Sequence, residues 1–321
     1  MMFRRLFKNV LPLFGLIPFT FSLGAMEEVS NFGENPGNLR MHIHIPKNLE
    51  GISPVVVALH GCSQDANELA EQSGWNVLAD RYNFIVVYPE QRRVNNVSNC
   101  FNWFQLKDIE GENGELASIR NMIAYVAMNN QIDFESIYTY GLSAGAAMAN
   151  SLLANDPSYF AAGAIFAGGP HKSATNALQG MRVMMNPKNL SPEEWGSFIN
   201  VEDHENFPRV ILVHGTKDNV VDIQNSEELI DQWSSVHGID TNPDSINDAF
   251  AGNEFISRYT FHTEDNWEAI IYYQLHGVGH KLVVNPGEGD KEGGQTGMYA
   301  MDLDFFSTYY VAVDFGLIPQ D

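Results

Sequence analysis

Short apolar runs alternate with segments of helical spacing along most of this chain. The apolar runs lie at 39–45, 54–59, 84–88, 136–140, 161–166, 209–213 and 268–275. Helical spacing is found at 66–82, 115–129, 144–154, 226–236 and 299–315. Strands that are apolar throughout are typical of parallel sheets, in which helices cover both faces. The alternation therefore predicts an α/β domain with a mostly parallel sheet and helices on both faces.

We expect one domain over residues 26–321. A length of 321 residues with 44% hydrophobic residues is suited to one large α/β domain. The sequence has neither a repeat of about 20–50 residues nor a linker rich in Ser, Gly and Pro. The least regular segment is 171–208, and we predict that it is a lid-like insertion above the sheet. Its methionines, Met181, Met184 and Met185, are expected to fill gaps beneath a loop.

The charge balance excludes two classes of protein. The chain has 40 Asp and Glu residues against 18 Lys and Arg residues, which gives a formal net charge of -22. Such an acidic surface repels phosphate backbones and anionic lipid headgroups. We therefore expect neither a nucleic-acid-binding protein nor a peripheral membrane protein.

The first 25 residues have the pattern of an export signal. Basic residues within 4–8 precede an apolar stretch from Val10 to about Phe21, and small residues follow up to Ala25. A membrane anchor is the alternative, but two prolines interrupt the apolar stretch, which is shorter than the roughly 20 residues that a span needs. We predict a signal peptide over residues 1–25 and a secreted protein, either extracellular or periplasmic.

The two cysteines, Cys62 and Cys100, are interpreted in the light of export. In an oxidising compartment, two cysteines most simply form one disulfide. Two free buried thiols are the alternative. Two cysteines are too few for a disulfide scaffold or a four-cysteine zinc site.

Neither a metal site nor a cofactor is expected. His42 and His44 alternate along a predicted strand and so lie on one side of it. Two histidines without a third ligand are a weak metal signal, and we interpret them as part of a plain surface face.

The sequence Gly141-Leu-Ser-Ala-Gly145 places a serine between a predicted strand and a predicted helix. In this setting a sharp turn exposes the serine hydroxyl at the carboxyl end of the sheet, and the glycines let flanking backbone pass close by. A glycine-lined turn with an idle serine is the alternative. We predict that Ser143 is a nucleophile.

A carboxylate and a histidine follow two later strands, in the chain order that such a serine requires. Asp218 lies on the loop after the strand at 209–213, and we favour it over Asp222, which suits the cap of the next helix. His280 lies beyond a glycine turn after the next apolar strand, and we favour it over His276 at the strand end. Asp218 would orient the imidazole, and His280 would act as the general base.

An early strand runs into His60-Gly-Cys-Ser-Gln64, where folds of this type supply one oxyanion donor. The other donor comes from the residue after the nucleophile. We therefore expect the backbone N–H groups of Cys62 and Ala144 to form the oxyanion hole. His60 is interpreted as a structural residue that hydrogen-bonds backbone beneath the loop.

These motifs resemble the polyhydroxybutyrate (PHB) depolymerase family of secreted esterases. The segments that carry the resemblance are His60–Gln64, Ser73–Asp80, Val87–Gln91, Cys100–Phe104, Gly141–Gly145 and His214–Asp218. The resemblance extends from about Leu39 to the terminal helix, with the oxyanion loop before the serine, as in the unpermuted branch of the family.

The resemblance implies an α/β-hydrolase fold that needs no cofactor. It also implies a triad of Ser143, Asp218 and His280 and a disulfide between Cys62 and Cys100. The expected activity is hydrolysis of short-chain hydroxyacid esters, with poly- or oligo-3-hydroxybutyrate as the leading substrate. The aromatic wall that grips a polymer segment in such enzymes has one candidate here, Trp103.

Alternative functions stay open at this point. Related members of the family cleave feruloyl or acetyl groups from plant polysaccharides, so a feruloyl or acetylxylan esterase is the main alternative. A serine peptidase on the same fold would share the triad chemistry. A secreted binding protein on a catalytically dead hydrolase scaffold is a remote alternative. In the enzyme hypotheses, the ester substrate is the expected partner.

Overall fold

The structure is a computed structural model that describes residues 26–199, 201 and 206–319. Its strands are β1 Glu27–Val29, β2 Arg40–His44, β3 Ser53–Leu59, β4 Ile85–Glu90, β5 Ile132–Leu142, β6 Ala162–Phe166, β7 Arg209–Gly215, β8 Ser245–Asn247, β9 Ile256–His262, β10 Glu268–Leu275, β11 Leu282–Val284 and β12 Ala300–Asp302. Its helices are α1 Ala66–Ser73, α2 Trp75–Tyr82, α3 Leu106–Ile109, α4 Glu115–Asn129, α5 Ala144–Asn155, α6 Ala177–Met185, α7 Pro192–Gly196, α8 Gln224–His237 and α9 Ser307–Asp314.

Within the described residues, ten strands form one sheet in the order β1-β2-β4-β3-β5-β6-β7-β10-β9-β8. The six strands from β4 to β10 in this order pair in parallel. Antiparallel pairs close the two edges, with β1 and β2 on one side and β9 and β8 on the other. The predicted mostly parallel sheet is therefore confirmed. The apolar pattern did not indicate the edge strands β1 and β8, nor β9, which lies between β10 and β8.

Helices cover both faces of the sheet, as its continuous apolar strands require. In β3, Val55, Val57 and Leu59 belong to the core beneath α4, α5 and α8. The alternate residues Val56 and Ala58 belong to the core beneath α1, α2 and α9. Successive side chains of a strand point to opposite faces of the sheet. Because both faces of this sheet are buried, the strand is apolar on both sides.

The helix predicted at 66–82 is divided in two at Gly74, so a single helix was wrong here. Gly74 has φ 72° and serves as the end of α1 and the start of α2. A Cβ at this position would lie 2.6 Å from the Gly294 nitrogen and 2.7 Å from the Phe306 ring. The break lets distant backbone pass close to the helix pair, a contact that local spacing does not reveal.

The terminal helix is also shorter than the predicted 299–315. Only Ser307–Asp314 is helical, whereas Ala300–Asp302 forms β12. This strand pairs in parallel with β11, so a contact with a distant segment overrides the helical spacing of residues 299–306.

The predicted insertion at 171–208 contains α6 and α7, although residues 200 and 202–205 lie outside the described residues. Trp195 of α7 is fully buried. The expectation that the methionines fill gaps is wrong for two of them, because Met181 is 69% exposed and Met185 is 45% exposed. The buried residues of α6 are instead Gly180 and Val183, on the face of the helix that packs against the rest of the protein.

The predicted signal peptide at 1–25 also lies outside the described residues. Among the residues that are described, no helix is both long enough and apolar enough to cross a membrane.

Cys62 and Cys100 form a disulfide between residues that are 38 positions apart in the sequence. Cys62 follows β3, and Cys100 lies in the segment 91–105, which contains neither helix nor strand. The bond therefore ties an irregular segment to the loop at the end of a central strand.

Replacement of Gly74 by alanine is expected to destabilise the protein more than the matched replacement of Gly238. Gly238 ends α8 with φ 68°, but a Cβ there meets no atom within 4 Å. Gly238→Ala should therefore cost only the left-handed backbone strain, about 1–2 kcal/mol. Gly74→Ala adds a steric clash of about 1–3 kcal/mol. Urea unfolding of both variants measures the difference, and equal losses would contradict the packing argument.

Loss of the disulfide is expected to lower the free energy of unfolding by up to roughly 4 kcal/mol, because the unfolded chain gains the freedom that the closed loop denies it. Mass spectrometry under non-reducing conditions should find the Cys62 and Cys100 peptides linked. Chemical denaturation of the Cys62→Ala/Cys100→Ala double variant measures the stability. Two alkylatable thiols in the native, mature protein would refute the bond.

Candidate active site

The sheet topology brings four loops to one edge. Strands β3, β5, β7 and β10 run in the same direction, so their carboxyl ends lie at the same edge. The loop 60–64 follows β3, Ser143 follows β5, Asp218 follows β7 and His280 follows β10. These are the segments in which the sequence predicts catalytic residues.

Ser143 occupies the sharp turn between β5 and α5 with φ 57° and ψ -118°. Its N–H donates to the carbonyl oxygen of Phe166 at 2.8 Å, which anchors the strained turn to the neighbouring strand β6. A Cβ on Gly141 would lie 2.2 Å from the Gly145 carbonyl oxygen, and one on Gly145 would lie 2.3 Å from that of Leu59. Both glycines are therefore required by close backbone approaches, in accord with a strand–turn–helix nucleophile motif.

Asp218 and His280 are joined by a hydrogen bond of 2.6 Å between Asp218 Oδ2 and His280 Nδ1. An ionised carboxylate only accepts, so Nδ1 carries the hydrogen and the neutral ring has Nε2 available as an acceptor. The other carboxylate oxygen accepts the N–H groups of Val220 at 2.8 Å and Val221 at 2.9 Å. The carboxylate is thus held by its own loop while it orients the imidazole.

The environment of Asp218 keeps it ionised. Burial by itself would raise its pKa, but hydrogen bonds from the His214 and His280 side chains outweigh burial and hold the pKa well below its usual range. His214 is the functional residue that sequence reasoning missed. Its Nε2 lies 3.0 Å from the Val221 carbonyl oxygen and 3.4 Å from Asp218 Oδ2, and its Nδ1 lies 2.7 Å from Ser226 Oγ. The motif His214-Gly-x-x-Asp218 was the only signal for this role.

The loops that carry Asp218 and His280 are tied to each other through backbone. The Lys217 N–H donates to the Val278 carbonyl oxygen at 2.8 Å, and the Thr216 N–H donates to that of Leu275 at 2.9 Å. Gly215 allows this approach, since a Cβ there would lie 2.3 Å from the Val278 oxygen. The spacing between the acid and the imidazole is therefore set by main chain.

The rival residues have other partners. The prediction that Asp222 caps the next helix is wrong, because the N-cap of α8 is Ile223. The Asp222 carboxylate accepts the Gln224 N–H at 2.9 Å in a local turn just before α8. The Nε2 atom of His276 lies 2.8 Å from Ser257 Oγ on β9. Both side chains are therefore engaged away from the pair formed by Asp218 and His280.

The loop after β3 lies against the serine turn. A Cβ on Gly61 would lie 3.5 Å from Ser143 Cβ and 3.4 Å from the Leu142 carbonyl oxygen. Cys62 is the next residue, and its disulfide fixes this loop. Ala144 is the first residue of α5, and N–H groups of a first helical turn have no acceptor within their own helix.

His60 supports this loop from beneath. Its Nδ1 donates to the Gly61 carbonyl oxygen at 2.7 Å, and its Nε2 accepts the Gln91 N–H at 3.0 Å. Burial lowers the pKa of His60, although the contact with the Gly61 carbonyl opposes the shift. The neutral ring thus acts as a bridge between two backbone segments.

A small cavity opens beside Ser143. Its other walls are mostly small or apolar, and they include Trp103, Ala147, Ala167, Val183, Met184 and Val221. Trp103 thus lies next to the serine, and α6 of the insertion contributes Val183 and Met184. Such a cavity suits a compact apolar group attached to a carbonyl at the serine.

The interpretation of His42 and His44 as a surface face is wrong. The His44 side chain is fully buried, with Nε2 2.9 Å from Asp80 Oδ1 of α2. His42 Nε2 lies 3.4 Å from Glu90 Oε2. Strand β2 lies inside the sheet, between β1 and β4. The contact of His44 with Asp80 shows that this part of the strand packs against α2. In the described part of the chain, no group of three or more His, Cys, Asp or Glu residues could hold a metal ion.

Comparison with known sequences gives a consistent result. Residues 41–251 match the family described as Esterase PHB depolymerase. Poly(3-hydroxyalkanoate) depolymerase C of Paucimonas lemoignei is 37% identical over 92% of this chain and 71% of its own length. Feruloyl esterase B of Talaromyces stipitatus is 31% identical over 84% of this chain and 76% of its own.

Solved structures show the same fold. An acetyl xylan esterase from Aspergillus awamori superposes with a TM-score of 0.73 and 25% identity over 80% of this chain and 94% of its own. Thermogutta terrifontis esterase 2 superposes with a TM-score of 0.53 at 13% identity, over 93% of this chain and 96% of its own, which shows the fold alone. With the mostly parallel, helix-covered sheet, these likenesses establish an α/β-hydrolase fold.

The relatives are named depolymerases and esterases, and they match this chain over most of its length. The protein is therefore an enzyme, a serine carboxylic-ester hydrolase, rather than a binding protein on a hydrolase scaffold. The match over residues 41–251 together with the relative that is 37% identical shows that this chain belongs to the PHB depolymerase family of esterases.

Proposed function

We propose that this esterase hydrolyses short-chain hydroxyacid esters, above all poly- or oligo-3-hydroxybutyrate, through Ser143, His280 and Asp218. The observation that carries the proposal is the hydrogen bond of 2.6 Å between Asp218 and His280 at the sheet edge where Ser143 borders an apolar cavity. The bond places the hydrogen on His280 Nδ1 and so fixes the tautomer that a serine nucleophile needs, with Nε2 left to accept its proton.

The reaction proceeds through an acyl-enzyme. Ser143 Oγ attacks the ester carbonyl while His280 Nε2 takes the hydroxyl proton. The negative oxygen that forms is stabilised by the backbone N–H groups of Cys62 and Ala144. His280 then gives its proton to the departing alcohol. In the second half it takes a proton from the water that attacks the acyl group, and it returns that proton to Ser143 Oγ as the acid leaves. Asp218 stays ionised and stabilises the imidazolium.

The cavity supports a short aliphatic acyl group. Its walls of Ala147, Ala167, Val183 and Val221 offer apolar contacts and no charge. Trp103 adds a flat apolar wall next to Ser143 and is proposed as the substrate-binding aromatic residue. The relative that is 37% identical bears the name of a poly(3-hydroxyalkanoate) depolymerase, which supports the same substrate class.

A feruloyl or acetylxylan esterase is the second candidate function. It is favoured by the relative named feruloyl esterase B at 31% identity and by the acetyl xylan esterase structure with a TM-score of 0.73. An acetyl group is small enough for the same cavity, so an acetylxylan esterase would differ from the first candidate in the alcohol side of the ester. A feruloyl esterase would differ in the acyl side, which would be a larger aromatic acid.

The disulfide between Cys62 and Cys100 supports a place of action outside the cytoplasm. Reducing conditions in the cytosol keep most thiols free, whereas secreted proteins keep their disulfides. We therefore propose a secreted enzyme, in line with the export signal that the first 25 residues predict.

The substrate proposal is tested with a matched panel of esters. We expect kcat/KM for 3-hydroxybutyrate oligomers to exceed that for methyl ferulate and for acetylated xylan by about tenfold or more, since the cavity contacts favour the small aliphatic acid. Product analysis by chromatography gives the rates. A serine-directed organophosphonate should label Ser143, and Ser143→Ala should lose activity on all esters. A preference for ferulate or acetylated xylan would instead support the second candidate.

The choice of the acid is tested with two variants of one loop. Asp218→Asn should lower kcat by about 10³- to 10⁴-fold, because the amide no longer fixes the tautomer of the imidazole. Asp222→Asn is the matched control and should keep near-normal kcat, because its carboxylate accepts only a nearby backbone N–H. Circular dichroism checks that both variants are folded. A large loss in Asp222→Asn alone would show that the wrong carboxylate was chosen.

A further inference from the structure

A buried carboxylate outside the proposed triad holds the segment that carries Cys100 and Trp103. Glu115 is the first residue of α4 and is 1% exposed. Its Oε1 accepts Gln91 Nε2 at 2.6 Å and Asn102 Nδ2 at 2.5 Å, and its Oε2 accepts the Asn102 N–H at 2.8 Å. All three donors belong to residues 91–105, between β4 and α3, which form neither helix nor strand.

This segment reaches the candidate active site at two places. Cys100 forms the disulfide with Cys62, whose N–H is one of the two proposed oxyanion donors. Trp103, one residue after Asn102, lines the cavity beside Ser143. A carboxylate that fixes Asn102 therefore fixes the position of both neighbours.

A second connection runs through Gln91. Its side-chain amide donates to Glu115 and to the Cys100 carbonyl oxygen at 3.1 Å, and its backbone N–H donates to His60 Nε2. His60 in turn donates to the Gly61 carbonyl oxygen. Glu115 is thus linked to the loop after β3 by hydrogen bonds as well as by the disulfide.

The position requires a side chain with two acceptor oxygens, because three N–H donors face it. Burial raises the pKa of Glu115 to about 8, opposed by the Asn102 N–H and assisted by the neighbouring Asp108 carboxylate. A buried carboxylate lowers stability relative to a neutral group. A glutamine of equal size would avoid that penalty, but one of its two terminal atoms would be an NH₂ group facing N–H donors. A carboxyl group, unlike an amide, offers an acceptor oxygen to all three donors at once.

We propose that Glu115 is a positioning residue for catalysis, which holds the Cys62 N–H and Trp103 in place through Gln91, Asn102 and Cys100. The proposal rests on the proposed function, in which Cys62 is an oxyanion donor. Glu115 itself contacts neither the cavity nor the reacting atoms. Its effect arises because an oxyanion donor acts only when it is held within a few tenths of an ångström of its place.

The main test is the isosteric variant Glu115→Gln, assayed on a soluble 3-hydroxybutyrate oligomer. We expect kcat to fall about 10- to 100-fold, in the range found when an oxyanion donor is lost or displaced. The inhibition constant of an alkylboronic acid, whose tetrahedral adduct on Ser143 resembles the intermediate, should rise with the loss in kcat/KM.

The matched control is Asp314→Asn. Asp314 is also a buried carboxylate, accepts the Tyr273 hydroxyl at 2.7 Å and pairs with Arg258 at 3.4 Å. Its partners lie on β10 and β9, and none of the three lines the cavity beside Ser143. This variant should lose stability in urea unfolding but keep near-normal kcat. Equal kcat losses in the two variants would overturn the proposal, because Glu115 would then act through stability alone.

A second variant tests the same proposal if Glu115→Gln does not fold. Gln91→Met keeps Glu115 and removes the two bonds that the side-chain NH₂ donates to Glu115 and the Cys100 carbonyl oxygen, together with the two that its Oε1 accepts from Arg92 and Asn95. It should show the same loss in kcat and the same weakening of boronate binding. Wild-type kcat and boronate affinity in either folded variant would overturn the inference. The proposed function fails on different grounds, namely an inactive wild type or an active Ser143→Ala variant, so the two failures are distinguishable.

Discussion

Parallel pairing of the central strands is the constraint on which the candidate site depends. Because β3, β5, β7 and β10 run in one direction, the residues that follow them meet at one edge of the sheet. Parallel strands are buried on both faces, which explains why helices pack on either side and why the strands are apolar throughout. The sheet therefore determines where the core lies. It also determines where polar side chains can lie close together outside the core, namely at the carboxyl ends of the strands.

Main-chain hydrogen bonds then fix the positions of the loops that the sheet brings to one edge. The turn at Ser143 is anchored to Phe166, and the loops of Asp218 and His280 are joined through Lys217 and Val278. Around this frame lies a second set of contacts made by side chains, in which His214 supports the acid and Glu115 supports the segment beside Cys100. The main-chain contacts hold the loops in place, and the side-chain contacts hold individual groups within those loops.

The sequence predicted those features that depend on neighbours in the chain. Helix α4 begins at Glu115 and ends at Asn129, and β10 spans Glu268–Leu275, both with the predicted bounds. Features set by distant partners were not predictable in this way. The break at Gly74 depends on Gly294 and Phe306, and the burial of His44 depends on Asp80. The serine, acid and histidine were each predicted from the end of a strand, whereas the links of Glu115 to Gln91 and Asn102 involve no periodic pattern.

Main-chain bonds hold the loops of the candidate site, whereas side chains form the walls of its cavity, so the two can change independently as such enzymes diverge. The backbone bonds between the loops of Asp218 and His280 do not depend on the identity of Thr216 or Lys217, apart from the glycine that precedes them. The cavity walls, in contrast, are side chains such as Val183, Met184 and Val221. Substitutions on α6 can therefore reshape the cavity beside Ser143 while the backbone bonds between the loops of Asp218 and His280 stay intact. One ancestral scaffold could in this way give rise to lineages that accept different esters, each change being confined to the walls.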